Sequence, residues 1–139
     1  MYKIGYISGM FDILHIGHID ILRRSKELCE HLIVAVGTDD YMRQKKNREP
    51  VIQYNERVEI VKTVRYVNQV VPALNIDKIS AYNRYKFDVM FLGEDHKNET
   101  IYMYYIAELD KLNVNTIFIP RKYDISSTTI RNSIVKKFA

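Results

Sequence analysis

Two apolar runs organise the first third of the chain. Tyr2 to Ser8 is closed by Gly9, and Leu32 to Val36, an uninterrupted LIVAV, is closed by Gly37. Runs this short and this continuously apolar read as strands covered on both faces, the kind found in parallel sheets. Between them the spacing predicts a helix. At 100° per residue Ile19, Ile21, Leu22, Leu28 and Cys29 fall on one half, and Asp20, Arg23, Arg24, Glu27 and Glu30 on the other. Asp20 and Arg24 also form an i, i+4 pair of opposite sign that supports the helix.

The alternation continues. A helix is expected near 55–66, a short strand near 69–73, a helix near 76–85 and a strand Asp88 to Leu92 closed by Gly93. A helix near 100–112, a strand Asn115 to Ile119 stopped by Pro120 and a last helix from about 127 follow. Strands alternating with helices at this spacing call for an α/β fold: a Rossmann-like, doubly wound parallel sheet of five strands with helices on both faces, in one domain spanning 1–139. Such sheets bind ligands beyond the carboxyl ends of their strands. Asp39 to Pro50 is the one stretch without a period. Its basic run of Arg43, Lys45, Lys46 and Arg48 suits a mobile loop over a phosphate site, or equally a solvated surface loop.

Composition narrows the classes. With 139 residues, 47% hydrophobic and 27% charged, and only three prolines and five glycines, the chain is a folded globule with room for one site. A net charge of +4 suits anionic ligands. It is too small, and the basic residues too localised, for nucleic acid. Cys29 is alone, so no internal disulfide forms. Without a basic-plus-apolar leader or a long apolar run, no membrane association is expected and the cytoplasm is the expected location.

Chemistry concentrates in Phe11 to Leu22, FDILHIGHIDIL. His15 and His18 lie about 60° apart at the start of the first helix, on its sheet-facing half. There the free N–H groups and the positive end of the helix dipole favour an anion, and Gly17 lets a phosphate approach the main chain. Zinc would need further ligands. The other histidines are His31 and His96, and no second cysteine exists. At the other end Ser126 and Ser127 can cap the last helix, with Arg131 one turn in as a forked cation. Tyr102, Tyr104 and Tyr105 read as core or subunit interface rather than a base-stacking platform.

Gly9-Met10-Phe11-Asp12 followed by His15-Ile16-Gly17-His18 resembles the G-x-F-D-x-x-H-x-G-H signature of the cytidylyltransferase-like nucleotidyltransferases. Ile125-Ser126-Ser127-Thr128-Thr129-Ile130-Arg131 resembles their I-S-[ST]-[ST]-x-[IL]-[KR] motif. The string HIGH also occurs in class I aminoacyl-tRNA synthetases, which need far more chain than this. The resemblance covers nearly the whole sequence and is nearest to small stand-alone glycerol-3-phosphate cytidylyltransferases.

The resemblance implies attack of a substrate phosphate on the α-phosphorus of a nucleoside triphosphate, with magnesium carried by the triphosphate and no metal held by the protein. It implies catalytic roles for His15, His18, Lys45 (or Lys46) and Arg131. Nucleotide contacts fall to Gly9, Met10, Phe11, Asp12, Gly17, Gly93, Glu94, Ser126, Ser127 and Thr128. Acceptor contacts fall to Asp39, Arg65 and Arg121, while Arg57 braces its helix against the loop. The implied partners are CTP and a small phosphorylated alcohol, best glycerol phosphate, and a second copy of the chain in a homodimer. The alternatives are an adenylyltransferase acting on a phosphopantetheine, NMN or FMN type of precursor, and a nucleotide-binding sensor without turnover. Met10 stands where threonine is commoner, Lys122 and Asp124 where threonine and glycine are, and His96 where the glycerol-phosphate enzymes tend to carry tryptophan. These departures bear on the acceptor more than on nucleotidyl transfer.

Overall fold

In a computed structural model, which describes residues 1–138, twelve segments alternate along the chain. They are β1 (Tyr2–Gly9), α1 (Ile16–Lys26), β2 (Cys29–Gly37), α2 (Asp39–Lys46), α3 (Tyr54–Lys62), β3 (Gln69–Ala73), α4 (Lys78–Tyr85), β4 (Val89–Gly93), a 3-10 turn (Glu94–His96), α5 (Thr100–Asp110), β5 (Asn115–Ile119) and α6 (Ser127–Phe138). The five strands form one sheet in the order β3-β2-β1-β4-β5, every neighbouring pair parallel. The doubly wound architecture expected from the alternation is therefore the one formed.

Both faces are covered, as the unbroken apolar runs require. Leu32, Val34 and Val36 of β2 pack with Ile7, Leu22 and Val61 on the side of α1 and α3. Ile33 and Ala35 pack with Tyr6, Met90, Tyr102 and Leu109 on the side of α4 and α5. The period of two along each strand sorts its residues between the two cores. Gly5 leaves room for side chains of the flanking strands: a Cβ there would stand 2.6 Å from the Phe91 ring and 2.8 Å from Cys29 Sγ.

Three expectations change. Asp39 to Lys46 is a helix, not an irregular stretch. Thr38 caps it, its Oγ1 accepting from the Tyr41 N–H at 3.2 Å, and Asp39 and Asp40 suit its positive end. Only Tyr41 and Met42 are buried, so two adjacent apolar anchors in a polar octet left no helical period to read. Cys29 opens β2 instead of lying on a helix, because α1 stops at Lys26; Leu28 is exposed as a result. Asp20, placed on the solvent half of the wheel, is buried, its charge met by Arg23 at 2.8 Å and by Arg24 at 3.2 Å. Smaller shifts have local causes, such as α4 starting at Lys78 because Asp77 caps it through the Ile79 and Ser80 N–H groups.

Candidate active site

β1 leads by way of α1 to β2 on one side, and β4 lies on the other side of β1. At this reversal the loops beyond the carboxyl ends diverge and leave a crevice. A cleft of ≈ 350 Å³ opens there. Ser8 to Asp12 form one wall, His15, Gly17 and His18 the floor of the next turn, and Lys45, Lys46 and Arg48 the far lip. Gly93 to His96, Arg121, Lys122 and Ser126 to Thr128 complete the ring.

The two histidines cap their own helix. The Gly17 N–H donates to His15 Nδ1 at 3.0 Å, and the His15 N–H donates to His18 Nδ1 at 3.2 Å. A Cβ on Gly17 would stand 2.9 Å from the His15 ring, so this close turn requires glycine. Because each Nδ1 accepts, each neutral ring carries its proton on Nε2 and has that donor free. The rings stack with centroids 3.9 Å apart. Burial and the nearby Arg121 lower the His15 pKa, while burial and then His15 push His18 down to about 3. At neutral pH the pair is uncharged and offers hydrogen bonds, not charge.

The strand-to-helix loop is held in an uncommon shape. Phe11 and Ile13 have φ of 53° and 59°, left-handed values that cost a non-glycine residue about 1–3 kcal/mol each. Asp12 between them is buried and accepts from the Val51 and Ile52 N–H groups, both at 2.9 Å, with Arg48 at 3.5 Å. Its carboxylate thus serves the loop. Arg57, fully buried, donates to Met10 O (2.6 Å), Gly37 O (2.7 Å), Ile52 O (2.8 Å) and Asp39 Oδ1 (2.6 Å). It clamps the ends of β1 and β2 to the start of α3, a larger role than bracing one helix.

The far end of the chain closes on the same loop. Ser126 caps α6, its Oγ accepting from the Thr129 N–H at 3.0 Å. Ser127 Oγ donates to the backbone carbonyls of Asp12 and Ile13. Arg131 stands behind the lining: Nη2 donates to Thr128 Oγ1 at 3.0 Å, and Nη1 is buried without a hydrogen-bond partner, 4.0 Å from Asp12 Oδ2. A buried guanidinium nitrogen with a distant carboxylate and no hydrogen-bond partner, one turn into α6, favours an anion near that helix's N-terminus.

The remaining candidates divide. Lys45 lines the cleft and donates to the Tyr102 hydroxyl at 3.0 Å. Burial and then Lys45 and Arg48 lower the Lys46 pKa. Arg121 lines the cleft, but its donors fold its own loop, Nε to Tyr123 O at 3.0 Å and Nη2 to Ile125 O at 2.9 Å. Glu94 accepts from the Arg121 N–H at 3.2 Å. Two expected acceptor residues are not brought to the cleft. Asp39 lines a separate depression with Thr38 and Tyr54, and its carboxylate is engaged by Arg57 and the Tyr54 N–H. Arg65 is exposed and donates to the Tyr66 hydroxyl at 3.0 Å.

Sequence reasoning missed Lys78, a buried lysine whose Nζ donates at 2.7 Å to Ser8 Oγ in the cleft wall. Burial and the nearby Lys45 bring its pKa down to about 8. The signal was its place just after the Asp77 cap, where a cation opposes the helix dipole. It missed Arg24 too, which donates to Pro120 O at 2.6 Å and ties α1 to the loop that leads to α6. Among the described residues no group of three or more His, Cys, Asp and Glu side chains is placed to hold a metal, and no helix is long and apolar enough to cross a membrane.

The pattern of a protein family described as Cytidylyltransferase-like matches residues 6–133. The chain is 33% identical over 127 residues to a glycerol-3-phosphate cytidylyltransferase of Bacillus subtilis, covering 91% of this chain and 92% of that one. It is 35% identical over 121 residues to an FAD synthase of Pyrococcus horikoshii, covering 84% and 80%. Among solved structures, a lipopolysaccharide core biosynthesis protein from Thermoplasma volcanium superposes with a TM-score of 0.73 at 27% identity, over 89% of this chain and all of that one.

Proposed function

The chain belongs to the cytidylyltransferase-like family of nucleotidyltransferases, and from that premise we propose that it transfers CMP from CTP to a small phosphorylated alcohol, best glycerol phosphate. The products are a CDP-alcohol and pyrophosphate. We place the reaction in the cytoplasm, serving cell-surface polymer or capsule precursors, with a homodimer as the working assembly. The observation that carries nucleotidyl transfer is the histidine pair, whose two Nε2–H donors are left free beside the α1 and α6 N-termini.

An oxygen of the acceptor phosphate forms a bond to the α-phosphorus as the bond from that phosphorus to the β-phosphate oxygen breaks, and pyrophosphate leaves with the bonding pair. A phosphate monoester is largely ionised at neutral pH, so no general base is required. The protein supplies in-line placement and donors for the charge that gathers on the transferring and leaving oxygens. His15 and His18 serve the triphosphate, His18 chiefly the transferring and leaving groups. Gly9, Met10 and Phe11 line the nucleotide with backbone, Gly17 admits phosphate to the α1 N-terminus, and Ser126 to Thr128 present the α6 N-terminus. Lys45 approaches the α-phosphate across the cleft and Arg131 adds charge from behind. Gly93 and Glu94 border the nucleotide, and Arg121 shapes the loop over it. Asp12 is committed to backbone N–H groups, so magnesium enters as the counter-ion of the triphosphate, part of the substrate.

A second reading is AMP transfer from ATP to a flavin phosphate, favoured by a similar identity to FAD synthases and by His96 in place of tryptophan. Pyrophosphate release with magnesium, crossing CTP and ATP with sn-glycerol 3-phosphate, phosphoethanolamine and FMN, separates them, with His18→Ala as control. Release from CTP and glycerol phosphate that is lost in the variant supports the first reading; release from ATP and FMN replaces it with the second. Tight nucleotide binding with no release from any pair overturns both in favour of a sensor.

A further inference from the structure

Lys45 is a demanding residue to aim. It is exposed near the end of α2, which stops at an Asn47 cap with φ of 54°, and its ammonium sits on a flexible stem. The charges around it repel: its proximity helps depress both Lys46 and the buried Lys78. Left to itself, such an ammonium would swing towards water.

Two tyrosines flank it, and the hydroxyl of one accepts a hydrogen bond from it. Lys45 Nζ donates to the Tyr102 hydroxyl at 3.0 Å and lies 5.5 Å from the Tyr102 ring and 5.7 Å from that of Tyr41. Tyr102 is itself fixed, 3% exposed in α5 and packed against His96 with ring centroids 4.6 Å apart. Burial, with the carboxylate of Glu99 adding to it, raises the phenol to about 12, so it stays protonated and neutral, an oxygen that can accept from Lys45. Packing alone asks only for the ring; a phenylalanine would fill the same space. The hydroxyl is the part that core formation does not explain.

We propose that Tyr102 is a positioning residue, whose hydroxyl holds the Lys45 ammonium at the cleft wall in reach of the transferring phosphate. The helix that aims this cation is thus α5, some sixty positions along the chain from α2, which carries it. This rests on the reading of Lys45 as a phosphate contact, and two independent measurements separate the two claims.

Tyr102→Phe keeps the ring and removes the hydroxyl; Lys45→Met supplies the second background. In steady-state kinetics Tyr102→Phe is expected to lower kcat about three- to tenfold, leave both KM values within about twofold, and cause no further loss in Lys45→Met. Reductive methylation followed by peptide mass spectrometry reads the hold without turnover: Lys45 is expected to label several times faster in Tyr102→Phe than in the unchanged protein. Equal labelling, or a kcat loss of the same size in the Lys45→Met background, overturns the proposal. So does a raised KM with unchanged kcat, which would make Tyr102 a substrate contact. If the unchanged protein releases no pyrophosphate from any pair, nucleotidyl transfer fails, and the labelling contrast alone decides whether Tyr102 holds Lys45.

Discussion

Replacing Arg57 with methionine tests how the cleft is held open. The guanidinium is wholly buried and makes four hydrogen bonds of 2.6 to 2.8 Å, three to backbone carbonyls and one to Asp39. Methionine fills much of the volume but leaves three carbonyls and a carboxylate without their donor. Breaking a buried, hydrogen-bonded ion pair from one side costs about 3–5 kcal/mol, against a total stability of about 5–15 kcal/mol for a domain of this kind. At about 3 °C per kcal/mol for a chain of this length, the melting temperature should fall by about 9–15 °C. Arg57→Lys keeps the charge, but a single ammonium cannot span four acceptors on three segments, so it should fall between. The bond to Met10 fixes the end of β1, which forms a wall of the cleft, so nucleotide affinity should drop about tenfold even where the variant is fully folded. Thermal melts and calorimetric nucleotide titrations read the two effects. A methionine variant that melts within about 3 °C of the unchanged protein, or that binds nucleotide normally, refutes the clamp.

Four further outcomes follow from the same geometry. His18→Ala removes one donor from developing charge and should lower kcat about 100-fold or more while the protein stays folded, read by pyrophosphate release and circular dichroism. Both histidines have folded pKa values below the ordinary 6.5, His18 at about 3. Between these limits the unfolded chain binds protons that the folded one refuses, so their effect on stability is flat above pH 6.5 and becomes destabilising as pH falls below it. Melts at pH 7.5 and 5 check the sign, and an NMR titration of the His18 Cε1 proton with a midpoint at or above 6.5 contradicts the assignment. Ser127→Ala cuts the link from α6 to the Asp12 and Ile13 carbonyls; it should cost about 1 kcal/mol and raise the nucleotide KM a few-fold, an effect absent if α6 docks by packing alone. EDTA should stop pyrophosphate release yet leave the melting temperature of the nucleotide-free protein unchanged, and a fall in that temperature would reveal a structural metal.

The sheet was legible because parallel strands buried on both faces leave unbroken apolar runs, and LIVAV is one. β3 and β5 were legible as well, since Val70, Val71, Ile117 and Phe118 sit between breakers. The two motif ends were readable for the same local reason: a cap, a glycine and a donor recur at short spacing. Legibility ended where tertiary partners overrule periodicity. α2 buries only a Tyr-Met pair, so its amphipathicity lies in the fold and not in the sequence. Asp20 looks like a solvent residue until Arg23 and Arg24 fold over it. Lys78 and Tyr102 come to the cleft from α4 and α5, far from either motif, and only the packing of those helices on the second face of the sheet brings them there. Asp39 was placed by resemblance as an acceptor contact, whereas Arg57 turns its carboxylate to the scaffold.

The hydrogen bonds divide the cleft into a bound half and a freer half. Asp12 ties the β1 loop to residues 51 and 52 by its carboxylate and to α6 by its carbonyl, and Arg57 ties the same loop to β2 and α3. Neither contacts substrate in the proposed mechanism, yet together they set where the histidine donors and the α6 N-terminus point. Substitution in this half moves several segments at once, because its bonds are shared. On the other side, His96 meets Glu99 at 3.1 Å and Lys122 lies over the Tyr123 ring. A change at either is expected to alter the shape and charge of the cleft rim while leaving the bonds of Asp12 and Arg57 in place. We propose that this division lets the acceptor change while nucleotidyl transfer is retained. It predicts that substitutions at His96 shift the ratio of acceptors used far more than the choice of nucleotide, which competition between sn-glycerol 3-phosphate and FMN at a fixed nucleotide measures directly. A His96 variant that changed nucleotide preference and left the acceptor ratio alone would place the division elsewhere.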